Sequence, residues 1–286
     1  MKRFILALVR RFNFLFPDKL YLKVCFYLEM GTTLNLKVPQ TFNEKLQWLK
    51  LYNRKPEYTM MVDKILVKEY IADIIGREYV VPILGVWDNP DEIDYDSLPD
   101  KFVLKTNHSG GNTGVVIVKD KAKIDKEFVR RKLQTSLKSD IYKRYREWPY
   151  KNVKKKIFAE TYLGDELIDY KFSCFDGYVD SVMICLDRQL GDPKFYFFDS
   201  QWNLRRYNKR GINAPKDFTI PKPEKIDDMF DLASKISRNF PYSRIDLYNI
   251  NGKIYFGEIT FFPASGFDAN LLPETDEYFG SLINLK

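Results

Sequence analysis

The sequence predicts an α+β fold, helical at its N-terminal end and built on a mostly antiparallel sheet in its C-terminal half. Three observations carry this reading. Apolar residues recur at helical spacing through residues 1–75. From Ile157 onward short β-rich runs dominate instead. Two of the breaks between those runs, Phe175-Asp176-Gly177 and Asn249-Ile250-Asn251-Gly252, have the composition of tight hairpin turns, which join antiparallel neighbours.

Met1–Arg11 is basic around a short apolar stretch, Phe4–Val9. The stretch is brief and Arg10-Arg11 follow at once with no small-residue cleavage site, so it reads as an amphipathic helix and not a secretory leader. Such a helix either packs against the domain or touches a membrane surface. Leu20–Met30, Phe42–Tyr52 and Met60–Ile75 continue the helical pattern, separated by Gly31-Thr32-Thr33 and by residues 53–56. Thr41 is placed to cap the helix from Phe42, and Glu44 completes a capping box. Tyr79–Trp87 is a β-rich run, and an acidic loop then leads to Leu98-Pro99. Lys101–Lys105 is a short strand, Thr106–Gly114 a loop and Val115–Val118 its hairpin partner. Ala122–Arg146 is helical and basic. Strands follow at Ile157–Thr161, Tyr170–Cys174, Tyr178–Cys185, Lys194–Phe198, Arg244–Tyr248 and Lys253–Thr260, with a helix at Asp227–Arg238 before the last two. No internal repeat or low-complexity segment interrupts this order.

Composition narrows the chemistry. With 286 residues, 45% hydrophobic and 16% aromatic, the chain can bury a large core. A mean hydropathy of −0.38 and the lack of a long uncharged apolar run argue against a membrane-spanning helix. Three cysteines without CxxC spacing suit a reducing cytoplasm and supply no zinc site. The sole histidine is His108, so a Ser-His-Asp or Cys-His system would have to be built on that one residue. The net charge of +7 is concentrated between Lys119 and Lys156, ending in Lys154-Lys155-Lys156. This is either a solvated face or a surface for a polyanion.

Chemistry concentrates in three places. Arg244-Ile245-Asp246-Leu247 and Phe256-Gly257-Glu258-Ile259-Thr260 become partner strands through the Asn251-Gly252 turn. Alternation puts Arg244 with Asp246 and Glu258 with Thr260. Two carboxylates on one face repel unless a cation lies between them, and that cation is either Arg244 or a metal such as Mg²⁺. The small residues of the following loop, Phe261 to Phe267, permit close backbone approach to a ligand. The second place is Lys105-Thr106-Asn107-His108-Ser109-Gly110-Gly111-Asn112-Thr113-Gly114, a lysine-ended strand and a Gly-rich tip rich in the donors that phosphate oxygens need. It is not a Walker A loop, because its lysine precedes the glycines. The third is Glu160-Thr161-Tyr162-Leu163 followed by Asp169-Tyr170-Lys171, a strand end that could meet a base edge and an acid that could accept from ribose hydroxyls.

Taken together, these segments resemble the ATP-grasp superfamily, and within it the TupA-like group associated with teichuronopeptide and other surface-polysaccharide biosynthesis. The resemblance runs from about Asp63 to the C-terminus. It rests on Asp63-Lys64, Leu98–Lys105, Asn107-His108-Ser109-Gly110-Gly111, Asp169-Tyr170-Lys171-Phe172, Arg244-Ile245-Asp246 and Tyr255–Phe261. It implies an ATP-grasp fold, with ATP between two α+β subdomains. The organisation expected is a helical N-terminal region over 1–62 and an ATP-grasp-like domain over 63–286, with a lid at about 100–160 and a metal-binding subdomain at about 161–286. The resemblance places Lys64 and Lys105 on phosphates, with the loop carrying Asn107, Ser109, Gly110 and Gly111 closing over them. Glu160, Tyr162 and Leu163 meet adenine, Asp169 meets the ribose, Lys171 is a further nucleotide-binding residue, and Asp246, Glu258 and Thr260 take Mg²⁺. Arg244, Lys105 and His108 carry catalysis, Arg244 by steadying the transferred phosphoryl group. Thr260 stands where these ligases usually have asparagine, which bears on a second metal ion.

The activity this implies is ATP-dependent joining of a carboxylate to an amine through an acyl phosphate. The substrates are an amino acid or amine and a uronic-acid-containing surface polysaccharide or its precursor. The implied setting is the cytoplasm, including the inner face of the membrane, and no nucleic-acid partner is expected. Two other readings belong to different classes. One is a glycosyltransferase of the same kind of pathway, against which stands the lack of a DxD-type motif on an early strand. The other is a non-catalytic polyanion-binding protein that uses the basic stretch, with salt-sensitive binding.

Overall fold

The computed structural model describes residues 1–111, 113–165, 167–186 and 193–285. Its helices are α1 (Lys2–Arg11), α2 (Asp18–Met30), α3 (Phe42–Tyr52), α4 (Glu57–Val62), α5 (Val67–Ile75), α6 (Lys126–Lys138), α7 (Ile141–Tyr145), α8 (Lys209–Ile212), α9 (Ile226–Ile236) and α10 (Pro273–Leu282). Its strands are β1 (Ile83–Trp87), β2 (Phe102–Thr106), β3 (Val115–Val118), β4 (Ile157–Thr161), β5 (Asp169–Phe175), β6 (Tyr178–Leu186), β7 (Lys194–Phe198), β8 (Leu204–Arg205), β9 (Ser243–Ile250) and β10 (Lys253–Thr260). They form two compact units. One comprises Met1–Arg54, Lys143–Glu147 and Leu167–Lys286, the other Lys55–Tyr142 and Trp148–Glu166. The N-terminal helices to Arg54 thus fall in the same unit as the C-terminal sheet.

The first unit is built on a six-stranded sheet in the order β10-β9-β5-β6-β7-β8, antiparallel throughout. Phe172, Ile245, Leu247, Phe256 and Ile259 share its buried apolar face. Helix α9 covers this face, with the Phe230 ring edge-on to Phe172 at 5.0 Å. Burying side chains of this size contributes roughly 1.5–3 kcal/mol each, so the face that α9 covers is fixed. The other face of β5 and β9 is left to polar residues. Helix α3 starts at the expected capping box, in which Thr41 accepts from the Glu44 amide and Glu44 accepts from the Thr41 amide. Asn43 ties α3 to α10 by donating to Asp276 from both its backbone and its side chain, each at 2.9 Å. Both hairpin turns form as the composition predicts, with Asp176, Gly177, Asn251 and Gly252 all at positive φ.

The second unit holds a four-stranded antiparallel sheet, β1-β4-β2-β3. Phe102, Leu104, Ile157 and Ala159 pack there with Val129 and Leu133 of α6. Two expected helices are interrupted. The Met60–Ile75 pattern breaks because Asp63 accepts from the amides of Ile65 and Leu66, at 2.9 and 3.3 Å, and draws the chain into a turn. The Ala122–Arg146 segment begins only at Lys126, where Asp125 caps by accepting from the Phe128 amide, and it stops at Ser139, whose backbone is extended. Strand β1 starts at Ile83, after Pro82, and not at Tyr79. Helices α8 and α10 and strand β8 carry no signal that the sequence reading used.

Candidate active site

In the first unit the site begins with a register irregularity. Pairing of β10 with β9 runs regularly from Lys253↔Ile250 to Phe256↔Leu247, then shifts by one so that Glu258 lies across from Asp246 and Thr260 across from Arg244. Gly257 is the extra residue, a β-bulge. In a regular ladder that kept Gly257 in register, Glu258 would oppose Ile245 and point into the apolar face. A Cβ on Gly257 would come within 3.0 Å of the Asp246 carbonyl oxygen and 3.2 Å of the Tyr248 ring, which is the close approach that favours glycine here. The apolar pattern shows the same slip, with Ile254 and Phe256 buried and then Ile259.

The bulge assembles a compact charged network. Arg244 donates from Nε to Asp246 Oδ1 at 2.7 Å and from Nη2 to Asp246 Oδ2 at 2.8 Å. Nη2 also reaches Glu258 Oε1 and Thr260 Oγ1, both at 3.1 Å. Thr260 in turn donates to Glu258 Oε1 at 3.2 Å. Strand β5 adds Lys171, directly across from Asp246, and its ammonium donates to Asp246 Oδ2. Asp169 lies 3.3 Å from the same ammonium. Burial pushes the Asp246 carboxyl upward, while Arg244 and Lys171 act against that. Burial opposes the charge on Arg244, but Asp246 and Glu258 outweigh it and hold the guanidinium firmly protonated.

Among the described residues no group of three or more His, Cys, Asp or Glu side chains is arranged around one point. What the face offers a metal is two carboxylates, Asp246 and Glu258, and the Thr260 hydroxyl. These are hard oxygen donors of the kind Mg²⁺ takes, with its other positions left to water or phosphate oxygens. The donor set fits, although the cation that now bridges the two acids is Arg244.

The second unit carries the other predicted residues. Glu160, on β4, is almost fully buried and receives two lysines, Lys105 of β2 at 2.5 Å and Lys68 of α5 at 2.6 Å. Burial works against the Glu160 charge, but Lys105 and then Lys68 outweigh it and lower its pKa. Burial also lowers Lys68, whose ammonium has a second acceptor in the Val81 carbonyl at 2.6 Å. The Glu160 side chain is thus committed to these lysines, and it is the backbone beyond it, with half-buried Tyr162 and Leu163, that stands at the strand end.

The Gly-rich loop has a rigid root and an exposed tip. Asn107 is fully buried. It donates to Asp63 Oδ2 at 2.7 Å and to the Lys154 carbonyl at 2.9 Å, and it accepts from the Lys156 amide at 2.9 Å. Lys64 donates to the Ser109 carbonyl at 2.7 Å. Ser109 itself is buried, whereas Gly110 and Gly111 are exposed, Gly111 at φ 59°. Asn112 lies outside the described residues. His108 is also buried, its Nε2 3.2 Å from the Ser136 carbonyl, so Nε2 carries the proton of the neutral ring. Burial, with Lys155 nearby, pulls its pKa down to about 4. Lys68 and the bulge at Gly257 had no place among the expected site residues, and Asp63 entered only within the Asp63-Lys64 motif. Lys68 had only its position one helical turn beyond Lys64 as a signal, and nothing local marks Gly257 as a bulge.

One unit thus carries a hairpin with paired acids, and the other a buried lysine–glutamate cluster and a Gly-rich loop. The TupA-like ATPgrasp family matches residues 44–284, and the chain belongs to that family. No curated protein matches the sequence. Among solved structures, D-alanine–D-alanine ligase from Bacillus anthracis is 18% identical over 78% of this chain and 65% of its own, with a TM-score of 0.45. The corresponding ligase from Helicobacter pylori is 14% identical over 85% and 69%, at 0.46. N5-carboxyaminoimidazole synthetase from Staphylococcus aureus, in complex with ADP, is 15% identical over 94% and 65%, at 0.49. The chain thus spans 65% of the length of the Bacillus anthracis enzyme.

Proposed function

We propose that this chain is an ATP-dependent carboxylate–amine ligase that uses ATP and Mg²⁺. The observation that carries the reading is the bulge-set pairing of Glu258 with Asp246, bridged by Arg244, on the polar face of the C-terminal sheet. Asp246 and Glu258, with Thr260, would hold Mg²⁺, which supplies charge neutralisation at phosphate oxygens when bound. Arg244 supplies a guanidinium for charge that develops on the transferred phosphoryl group, and Lys105 and Lys64 are cations for the other phosphate oxygens. Lys105 is held in place by Glu160, and Asn107 holds the root of the Gly110-Gly111 tip. His108, neutral and buried, braces that loop through Ser136. Asp169 belongs with the ribose, Lys171 lies between it and Asp246, and the backbone from Glu160 to Leu163 belongs with adenine.

In this reaction a substrate carboxylate oxygen bonds to the γ-phosphorus as the bond to the β,γ-bridging oxygen breaks, giving an acyl phosphate and ADP. An amine nitrogen then bonds to the acyl carbon, inorganic phosphate leaves, and the amine loses a proton. No side-chain nucleophile is needed, in keeping with one histidine and three cysteines in the chain. Catalysis rests on positioning and charge. The acceptor we propose is a uronic-acid-containing surface polysaccharide or its precursor, joined to an amino acid or other amine. The basic stretch, a surface for an acidic polymer, is what supports it. Lys119 and Lys156 are paired with Asp165 and Asp88, and Arg131 lies 4.0 Å from Glu127, while Lys138, Lys151 and Lys154 are exposed.

The test is ATP turnover with Mg²⁺ and hydroxylamine against a panel of uronic and amino acids. A productive carboxylate should give ADP and a hydroxamate, both lost in Asp246→Asn. If no carboxylate stimulates ADP release, or if a nucleotide sugar turns over without ATP, the ligase reading fails.

A further inference from the structure

Helix α1 is apolar on two sides. Leu6 and Val9 turn inward, onto a core shared with Tyr21, Leu22, Cys25 and Phe26 of α2. Phe4, Ile5 and Leu8, on the neighbouring side of the helix, face solvent at 69%, 40% and 40% exposure. The exposed run continues beyond the helix through Phe12, Phe14 and Leu15, the last two at 75% and 66%. A single exposed leucine says nothing. A contiguous stripe of large apolar side chains within the first fifteen residues is a surface that water leaves uncovered at a cost.

The surroundings of the stripe say what covers it. Lys2, Arg3 and Arg11 of the same segment are exposed, as are Lys19 and Lys23 of α2, the helix that α1 packs on. Over residues 1–24 six cations meet one acid, Asp18, and one of the six, Arg10, pairs with Glu29 at 2.6 Å. Asp18 is itself taken by Arg54 at 2.6 Å and Arg146 at 2.9 Å. A second copy of the chain docking here would bring the same cations together, which Coulomb repulsion opposes. An anionic bilayer matches both features, since it receives the aromatic and leucine side chains at the acyl boundary and the Lys and Arg heads among its phosphates. A ten-residue helix is about 15 Å long, half of a hydrocarbon core of about 30 Å, so it lies on the surface. No described helix is long and apolar enough to cross a membrane. The segment also precedes residue 44, where the family match begins.

We propose that α1 and the turn after it form an interfacial anchor that seats the chain on an anionic lipid surface. This stands independently of the ligase reading. The test uses the full chain with vesicles of phosphatidylcholine alone and of phosphatidylcholine mixed with phosphatidylglycerol, read by co-sedimentation, beside light scattering of the chain without lipid. The chain should pellet with the phosphatidylglycerol vesicles about tenfold or more better than with the neutral ones, and raised salt should release it. Phe4→Ser/Leu8→Ser should abolish pelleting and Arg3→Ser/Arg11→Ser should weaken it about tenfold, with the melting temperature of both variants unchanged because these side chains are exposed. Equal pelleting with both vesicle types, or none with either, overturns the proposal. So does a lipid-free dimer that Phe4→Ser/Leu8→Ser dissociates, which would assign the stripe to a second copy.

Discussion

Asp246 already has two cations on it, the Arg244 guanidinium and the Lys171 ammonium. A divalent ion entering this face competes with both, so its binding is tied to whatever draws Arg244 away, and a nucleotide's phosphates are suited to that. That Arg244 and Asp246 share a side was legible from strand alternation, whereas Glu258 joins them only through the bulge. The sequence left open which cation lies between the acids, and here Arg244 does. His108 shows the opposite limit. Its loop marks it as available to a phosphate, yet the ring is buried against Ser136 by the packing of α6, a contact between residues 28 apart that no local pattern shows. This has a consequence for pH. The folded ring titrates near 4 and the ordinary one near 6.5, so between those values the unfolded chain binds the extra proton and stability falls as pH falls. His108→Gln, which keeps a donor for the Ser136 carbonyl, should flatten the denaturation free energy over that window by up to about 1.4 kcal/mol per pH unit relative to the native chain. Parallel profiles for the two proteins would show that the ring is not buried neutral.

At the scale of elements, turns and caps were readable because they act over a few residues. Thr41 and Glu44 close their box, and Asn251-Gly252 adopts the positive φ that pairs β9 with β10. Breaks were less readable, as at Asp63, where apolar spacing runs on while a carboxylate captures two amides. The bulge at Gly257 was not readable at all, because a regular ladder and a bulged one are compatible with the same residues until α9 selects the apolar face. Gly257→Val should destabilise the first unit by about 1–3 kcal/mol in chemical denaturation, since its side chain meets the Asp246 carbonyl and the Tyr248 ring. Deleting Gly257 should cost less, because a regular ladder would then still set Glu258 across from Asp246. If deletion is the more damaging change, the bulge does not have the role described.

For the whole molecule, the α+β class and the antiparallel C-terminal sheet followed from periodicity and hairpin turns, whereas the grouping of residues into units did not. Asn43, Lys50 and Gln47 of α3 bind backbone or side chains of residues 265–276, contacts more than two hundred residues apart that only the folded chain reveals. Lys50 is fully buried there, and burial lowers its pKa to about 8. The residues proposed to serve one reaction are likewise shared out, with Arg244, Asp246, Glu258, Thr260, Asp169 and Lys171 in one unit and Lys64, Lys105 and Asn107 in the other. The central claim is that Asp246 and Glu258 make the first unit a metal–nucleotide site. Calorimetric binding of a non-hydrolysable ATP analogue, with and without Mn²⁺, to the native chain and to Asp246→Asn tests it most directly. Binding should be metal-dependent and weaken about a hundredfold or more in the variant. Metal-dependent binding of equal strength in both proteins would contradict it.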